Sequence, residues 1–193
     1  MIIYAHHKEG RYWLRAEWTF NPGQPVKLSY TFSQRGEADF MGITFNYPEK
    51  KIKAMQWLGR GPYHVWKNRL KGLQFGLWEK DYNNTTTGET WDYPGFKGNH
   101  ENVYWAKIST TEISFKIYMG NENMFLQMLK TNNPKGANNT NTTVNYPEGN
   151  IGIMNAIQPI GTKFHKAEQM GPQSQKNVEL NSPYHGVVWF DFR

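Results

Sequence analysis

The sequence predicts an all-β fold, an antiparallel β-sandwich occupying residues 1–193 as one domain. Three observations predict it. Apolar and polar residues alternate in short runs divided by Gly, Pro and Asn. Nowhere do apolar residues keep an i, i+3, i+4, i+7 spacing for three turns, as a packed helix requires. Large rings (8 Trp, 11 Tyr and 11 Phe) offset a hydrophobic content of only 38%, so a core is filled by volume rather than by number.

The strands follow in order. Between Tyr12 and Phe20, the residues Tyr12, Leu14, Ala16, Trp18 and Phe20 share one face, and Arg15, Glu17 and Thr19 take the other. Asn21-Pro22-Gly23 ends that run, and Val26, Leu28, Tyr30 and Phe32 alternate in the next. Phe40–Phe45 stops at Asn46-Tyr47-Pro48-Glu49. Lys51–Leu58 carries its apolar residues in two phases, Ile52 and Ala54, then Met55, Trp57 and Leu58. Gly59-Arg60-Gly61-Pro62 is expected to be a tight turn, placing Arg60, Tyr63, Trp66 and Arg69 at a sandwich edge.

Lys71–Trp78 is expected to be a strand and Asp81–Glu89 a polar loop. Further strands are expected near Val103–Ser109, Ile113–Tyr118 and Met124–Lys130. Asn132–Gly149, rich in Asn, Thr, Gly and Pro, predicts a long exposed loop. Ile151–Ile160 and Gly186–Phe192 close the chain as strands. Many short strands with turns between them favour a sandwich. No linker-like composition shift divides the chain, and no fixed-period repeat suggests a propeller.

Composition excludes several classes. Without cysteine there is no disulfide scaffold, Cys-ligated zinc, iron–sulfur cluster or cysteine nucleophile. His6-His7 has no other nearby ligand, so no metal site is expected, and no cofactor motif is present. No stretch approaches the ~20 apolar residues of a membrane span, and no membrane partner is expected. Met1–His7 is too short and polar for a signal peptide, and the lack of cysteine suits cytoplasm and periplasm alike. The net charge of +6 raises nucleic acid as a partner. Yet the densest basic stretch, Lys50 to Lys71, is broken by Trp57, Leu58, Pro62 and Trp66, with no nucleic-acid motif beside it. A solvated basic face is the better reading.

The richest chemical cluster is Trp91-Asp92-Tyr93-Pro94, then Lys97 through Asn102, including His100, then Tyr104-Trp105. Sugars present flat C–H faces to aromatic rings and hydroxyls to short polar side chains, which this mixture could supply. The same rings could equally be core or interface packing, with the polar residues capping turns. Hydrolysis of a glycoside needs two carboxylates across the sugar, and Glu79, Asp81, Glu89, Asp92 and Glu101 carry no distinguishing context. His64, or His100 with Glu101, could act in a sugar epimerase, but neighbours on a strand point to opposite faces.

The block Met55-Gln56-Trp57-Leu58-Gly59-Arg60-Gly61-Pro62-Tyr63-His64-Val65-Trp66-Lys67-Asn68-Arg69 resembles the Trp-(Leu/Tyr)-Gly-x-Gly-Pro…Asp/Asn-Arg signature of the C-terminal small-chain domain of family 2 β-galactosidases. Its Gly-Pro-Tyr-x-Val-Trp-Lys-Asn-Arg variant is similar to a Bacteroides-type branch. Trp91–Gly98 with Tyr104-Trp105, Ala156–Phe164 and Gly171–Gln175 extend the resemblance over roughly Tyr12 to Phe192. The resemblance implies a galactose-mutarotase-like supersandwich, and a parent enzyme that cleaves terminal β-galactosides with two carboxylates on a (β/α)₈ barrel. Such a barrel needs ~250 residues, and no βα alternation occurs here.

The expectation is therefore a non-catalytic C-terminal accessory portion beginning inside the small-chain domain, with a catalytic barrel as partner. Galactosides or related oligosaccharides are its possible ligands. A stand-alone carbohydrate-binding module is the alternative. Candidate residues for sugar contact or barrel packing are Arg60, Tyr63, Trp66, Arg69, Trp91, Tyr93, Lys97 and His100. Where the family often reads Gln/His-Glu-Asn-Tyr-Pro-Asp-Arg after Gly-Pro, this sequence has Tyr63-His64-Val65-Trp66-Lys67-Asn68-Arg69, so the arginine is kept but no role transfers for the glutamate and aspartate. Nor does the late loop Met170–Gln175 hold a ring to lend to a sugar.

Overall fold

Eleven strands account for most of the described chain, and each owes its sidedness to the alternation of its residues. The computed structural model describes residues 1–82, 97–128, 140–178 and 180–193. The strands are β1 (Ile2–Glu9), β2 (Tyr12–Thr19), β3 (Val26–Ser33), β4 (Met41–Phe45), β5 (Ile52–Val65), β6 (Gln74–Asp81), β7 (Asn99–Thr110), β8 (Phe115–Met119), β9 (Phe125–Met128), β10 (Ile151–Ala156) and β11 (Tyr184–Asp191). The described residues contain short 3-10 turns and no α-helix.

All strand pairs are antiparallel. One long sheet runs β6-β5-β7-β8-β11-β3-β2-β1, and a branch leaves the start of β7 through β9 and β10 to β4. The branch curls back over the long sheet. Met41, Ile43, Ile151 and Ile153 of the branch share a buried cluster with Leu28, Tyr30, Phe32, Val188 and Phe190 of the long sheet. Phe45 of β4 meets Trp18 and Phe190 edge-on, at ring separations of 6.2 and 5.3 Å. Two layers closed over one apolar core make the antiparallel sandwich that the alternation predicts. Each large side chain so buried stabilises the fold by about 1.5–3 kcal/mol relative to exposure.

Three local expectations need correction. The Gly59–Pro62 stretch is not a turn: β5 continues through it to Val65, and the chain reverses at Lys67-Asn68, where Trp66 and Arg69 form a bridge. The glycines serve close approach instead. A β-carbon at Gly59 would meet the Asn102 carbonyl oxygen at 2.8 Å, and one at Gly61 the Trp78 ring at 2.7 Å. The second correction concerns Asn132–Gly149. Its first part, to residue 139, lies outside the described residues, but in the remainder Val144 is buried against Trp66 and Ile160. Third, β1 was not expected. It pairs with β2 from Ile2↔Thr19 to Glu9↔Tyr12 while every residue stays exposed, so main-chain pairing holds it and hydrophobic alternation gives no sign of it. The two apolar phases of Lys51–Leu58, by contrast, are a β-bulge: the β5–β7 register slips between Ile52 and Ala54.

Candidate functional site

The conspicuous sequence block falls on β5 and the turn after it, and the register irregularities on either side of Arg60 let its side chains take three directions. Arg60 and Tyr63 point to solvent. Tyr63 is 47% exposed, and Arg60 Nη1 stands 3.7 Å from Glu101 Oε2 on the neighbouring β7. Burial raises the Glu101 pKa, and Arg60 opposes that shift.

His64 turns the other way, beneath the sheet. Its Nε2 lies 2.5 Å from Lys80 Nζ, and its ring meets His100 at 4.8 Å. His100 packs in turn on Trp57 at 4.3 Å. Lys80 is brought there by β6, where Trp78 shares the inward face and Phe75 and Leu77 take the outward one. Burial pushes the Lys80 pKa down to about 7. Burial, followed by the charges of Lys80 and His64, holds His100 well below the ordinary imidazole range. Both His100 ring nitrogens are buried without a hydrogen-bond partner. The interior therefore favours a neutral imidazole and brings the neutral amine of Lys80 within reach near pH 7.

Among the described residues Glu101 does not give this cluster the carboxylate that an epimerase needs. Glu101, next to His100 in sequence, lies on the opposite face with Arg60 and cannot share a proton with it. Among the described residues no three His, Asp or Glu side chains gather as metal ligands would.

The third group is folded into structure. Trp66 is 2% exposed in a cluster with Val144 and Ile160. Lys67 donates from Nζ to the carbonyls of Gln175 and Lys176, at 2.9 and 3.3 Å. Asn68 Nδ2 donates to the Ile160 carbonyl and to Ser174 Oγ, and Asn68 Oδ1 accepts from the Ile160 amide. Arg69 Nη2 donates to the Gly161 carbonyl at 2.7 Å. Four consecutive side chains thus tie the β5 turn to the segments around Ile160 and Ser174.

Of the other candidates, Lys97 is buried, and Trp91 and Tyr93 lie outside the described residues. Sequence reasoning singled out His64 and His100 but missed Lys80. Its signal was the phase of β6, where a lysine two residues after Trp78 shares an inward face.

The outward face has its own order. Following the registers, Leu77 stands beside Leu58, Leu58 beside Trp105, Trp105 beside Tyr118 and Tyr118 beside Trp189. Phe75 and Leu77 are 61% and 58% exposed, and Phe75 meets Tyr104 edge-on at 5.7 Å. The apolar row crosses five strands on the outward side, with Leu58, Trp105, Tyr118 and Trp189 half-buried and Leu77 exposed.

Compared with known proteins, the chain matches the β-galactosidase small-chain family model over residues 3–163. No curated protein matches it. With that match spanning most of its length, the chain belongs to the β-galactosidase small-chain family.

Proposed function

We propose that this chain is the non-catalytic accessory portion of a family 2 β-galactosidase-like glycoside hydrolase, one that packs beside a catalytic barrel. The observation that carries the reading is the outward apolar row from Leu77, itself exposed, through the half-buried Leu58, Trp105 and Tyr118 to Trp189, flanked by the exposed Phe75 and Tyr104. A row of this kind loses solvent contact only against another body, and the small-chain family membership supports a larger hydrolytic partner. Arg60 and Tyr63 emerge on or beside this face and are the candidate residues best placed to meet that partner. Trp66 and Arg69 act indirectly, by holding the β5 turn that presents them.

The test is a nitrophenyl β-galactoside assay on this chain, combined with association of the chain with the barrel-bearing part of its enzyme. Negligible turnover alone and co-migration with the barrel are expected, and Leu77→Lys with Phe75→Ser should abolish co-migration. Robust turnover by the chain alone would overturn the proposal.

A further inference from the structure

We propose that the outward face of β1, β2, β3 and β11 is a binding platform for an anionic saccharide, a sugar chain bearing sulfate or carboxylate groups. This site lies on the same outward side of the long sheet as the apolar row assigned above to the catalytic partner and adjoins its Trp189 end along β11.

The registers build the platform. His6 stands opposite Arg15, Arg15 opposite Thr31 and Thr31 opposite His185, so four strands contribute one row of polar side chains. With strands ~4.8 Å apart, that row is roughly 14 Å wide. Its neighbours along the strands are Tyr4, Glu17, Ser29 and Val187 on one side, and Lys8 and Trp13 on the other. The face is hollowed into an open trough of about 810 Å³ lined by these residues. That size matches ordinary small-ligand sites.

The row is held in place. Thr31 Oγ1 and His185 Nδ1 are 2.8 Å apart, which leaves the His185 Nε2 as the ring nitrogen available to a ligand. Asn121 fixes the β11 backbone on both sides of Gly186, donating to the His185 carbonyl and accepting from the Val187 amide. The Arg15 guanidinium lies 5.5 Å from the Trp13 ring centre, so its fork is steadied by the ring's electron-rich face.

Charge selects the ligand. Arg15 and Lys8 are cationic, and the imidazoles of His6 and His185, each able to donate or accept, stand at the same level. Glu17 is the one carboxylate among the lining residues, and it sits a pair of residues along the strand from Arg15. Arginine matches a carboxylate or a sulfate by two parallel hydrogen bonds. Glu17, with Ser29 and Thr31, is suited to accept from and donate to hydroxyls, and Tyr4, 73% exposed, offers a ring face to C–H surfaces. Fixed anion contacts interleaved with hydroxyl contacts and rings describe an acidic sugar chain better than a neutral one.

The test is calorimetric titration of the intact chain with sulfated galactan, uronate-containing and neutral galacto-oligosaccharides, with single-stranded DNA as a competing polyanion. Saturable binding of at least one acidic class, with no saturation by the neutral one, is expected. The two acidic probes separate sulfate from carboxylate as the recognised group. Arg15→Gln and His185→Ala should each weaken binding tenfold or more with unchanged melting temperature, while Tyr104→Ser on the apolar face should leave it unchanged. Absence of saturation by either acidic class, equal affinity for neutral sugar, or indifference to Arg15→Gln would overturn the proposal. DNA displacing the sugar with equal affinity would overturn it too, because it would show an unselective cationic patch. Loss of barrel association is a separate readout, so failure here leaves the accessory reading distinguishable.

Discussion

Asn68 and Ile160 hold one another by two reciprocal hydrogen bonds, Nδ2 to the Ile160 carbonyl at 2.9 Å and the Ile160 amide to Oδ1 at 3.0 Å. A side-chain amide here stands in for a strand partner that Ile160, lying beyond the end of β10, does not otherwise have. The β5 turn and the late segment are joined through this contact rather than through a continuous ladder.

Asn68→Ala should therefore destabilise the fold by about 2–3 kcal/mol, since it leaves a part-buried carbonyl and amide unpaired. Urea denaturation should show a lower midpoint with little change in slope. An unchanged midpoint would mean that water replaces the amide at no cost.

Gly186 is bound to its neighbour by shape. A β-carbon there would run into the Tyr30 ring on the adjacent strand. Gly186→Ala should cost about 1–3 kcal/mol by overpacking. In a Tyr30→Leu background the penalty should shrink, because the two residues couple through one contact. Equal penalties in both backgrounds would locate the strain elsewhere.

Acid should weaken the fold through Lys80 and His100. An unfolded lysine keeps its proton up to about pH 10.5, whereas buried Lys80 releases it near 7. Between those values the unfolded chain binds the extra proton, so stability rises with pH, by at most about 1.4 kcal/mol per pH unit from this group. His100, held below 6.5, acts in the same direction at lower pH: as pH falls below 6.5 the unfolded imidazole is protonated first and stability is lost. Unfolding free energies measured from pH 5 to 9.5 check this. Lys80→Met should remove the slope above pH 7 while leaving that below 6.5.

Phe75 and Leu77 should behave unlike core residues. Both face solvent, so Phe75→Ser and Leu77→Ser should shift stability by no more than about 0.5 kcal/mol each. A thermal melt indistinguishable from wild type, together with lost barrel association, separates a docking role from a folding one. A large drop in melting temperature would assign the pair to the fold.

The strands whose alternation faces a core were legible from sequence. Val26, Leu28, Tyr30 and Phe32 alternate because one side of β3 is buried, and the pattern marks both strand and face. A change of phase within Lys51–Leu58 was visible too, though only the strand pairing shows the register slip between Ile52 and Ala54 behind it. Two things were not. β1 has no buried side, and β5 runs on through glycines that a local reading takes for a turn. At Gly59 and Gly61 the missing β-carbon answers to Asn102 and Trp78, residues remote in sequence, so the reason for glycine is invisible until the strands pair. Among the candidate residues, Trp66 and Arg69 were marked by their motif, but the motif could not say that both are engaged in holding the chain together.

The sequence by itself determined the fold class, the inward faces of most strands and, through the Met55–Arg69 block, the family, because these depend on local alternation and on residue identity. Tertiary structure alone decided what meets across strands: His64 with Lys80 and His100, the apolar row from Leu77 to Trp189, and the row from His6 to His185. The reason is register. Alternation sets which side of a strand a residue occupies, but a shift of one residue between strands would send every partner to the opposite face. Only the completed pairing of distant segments removes that freedom, and the surfaces of this molecule exist because it does.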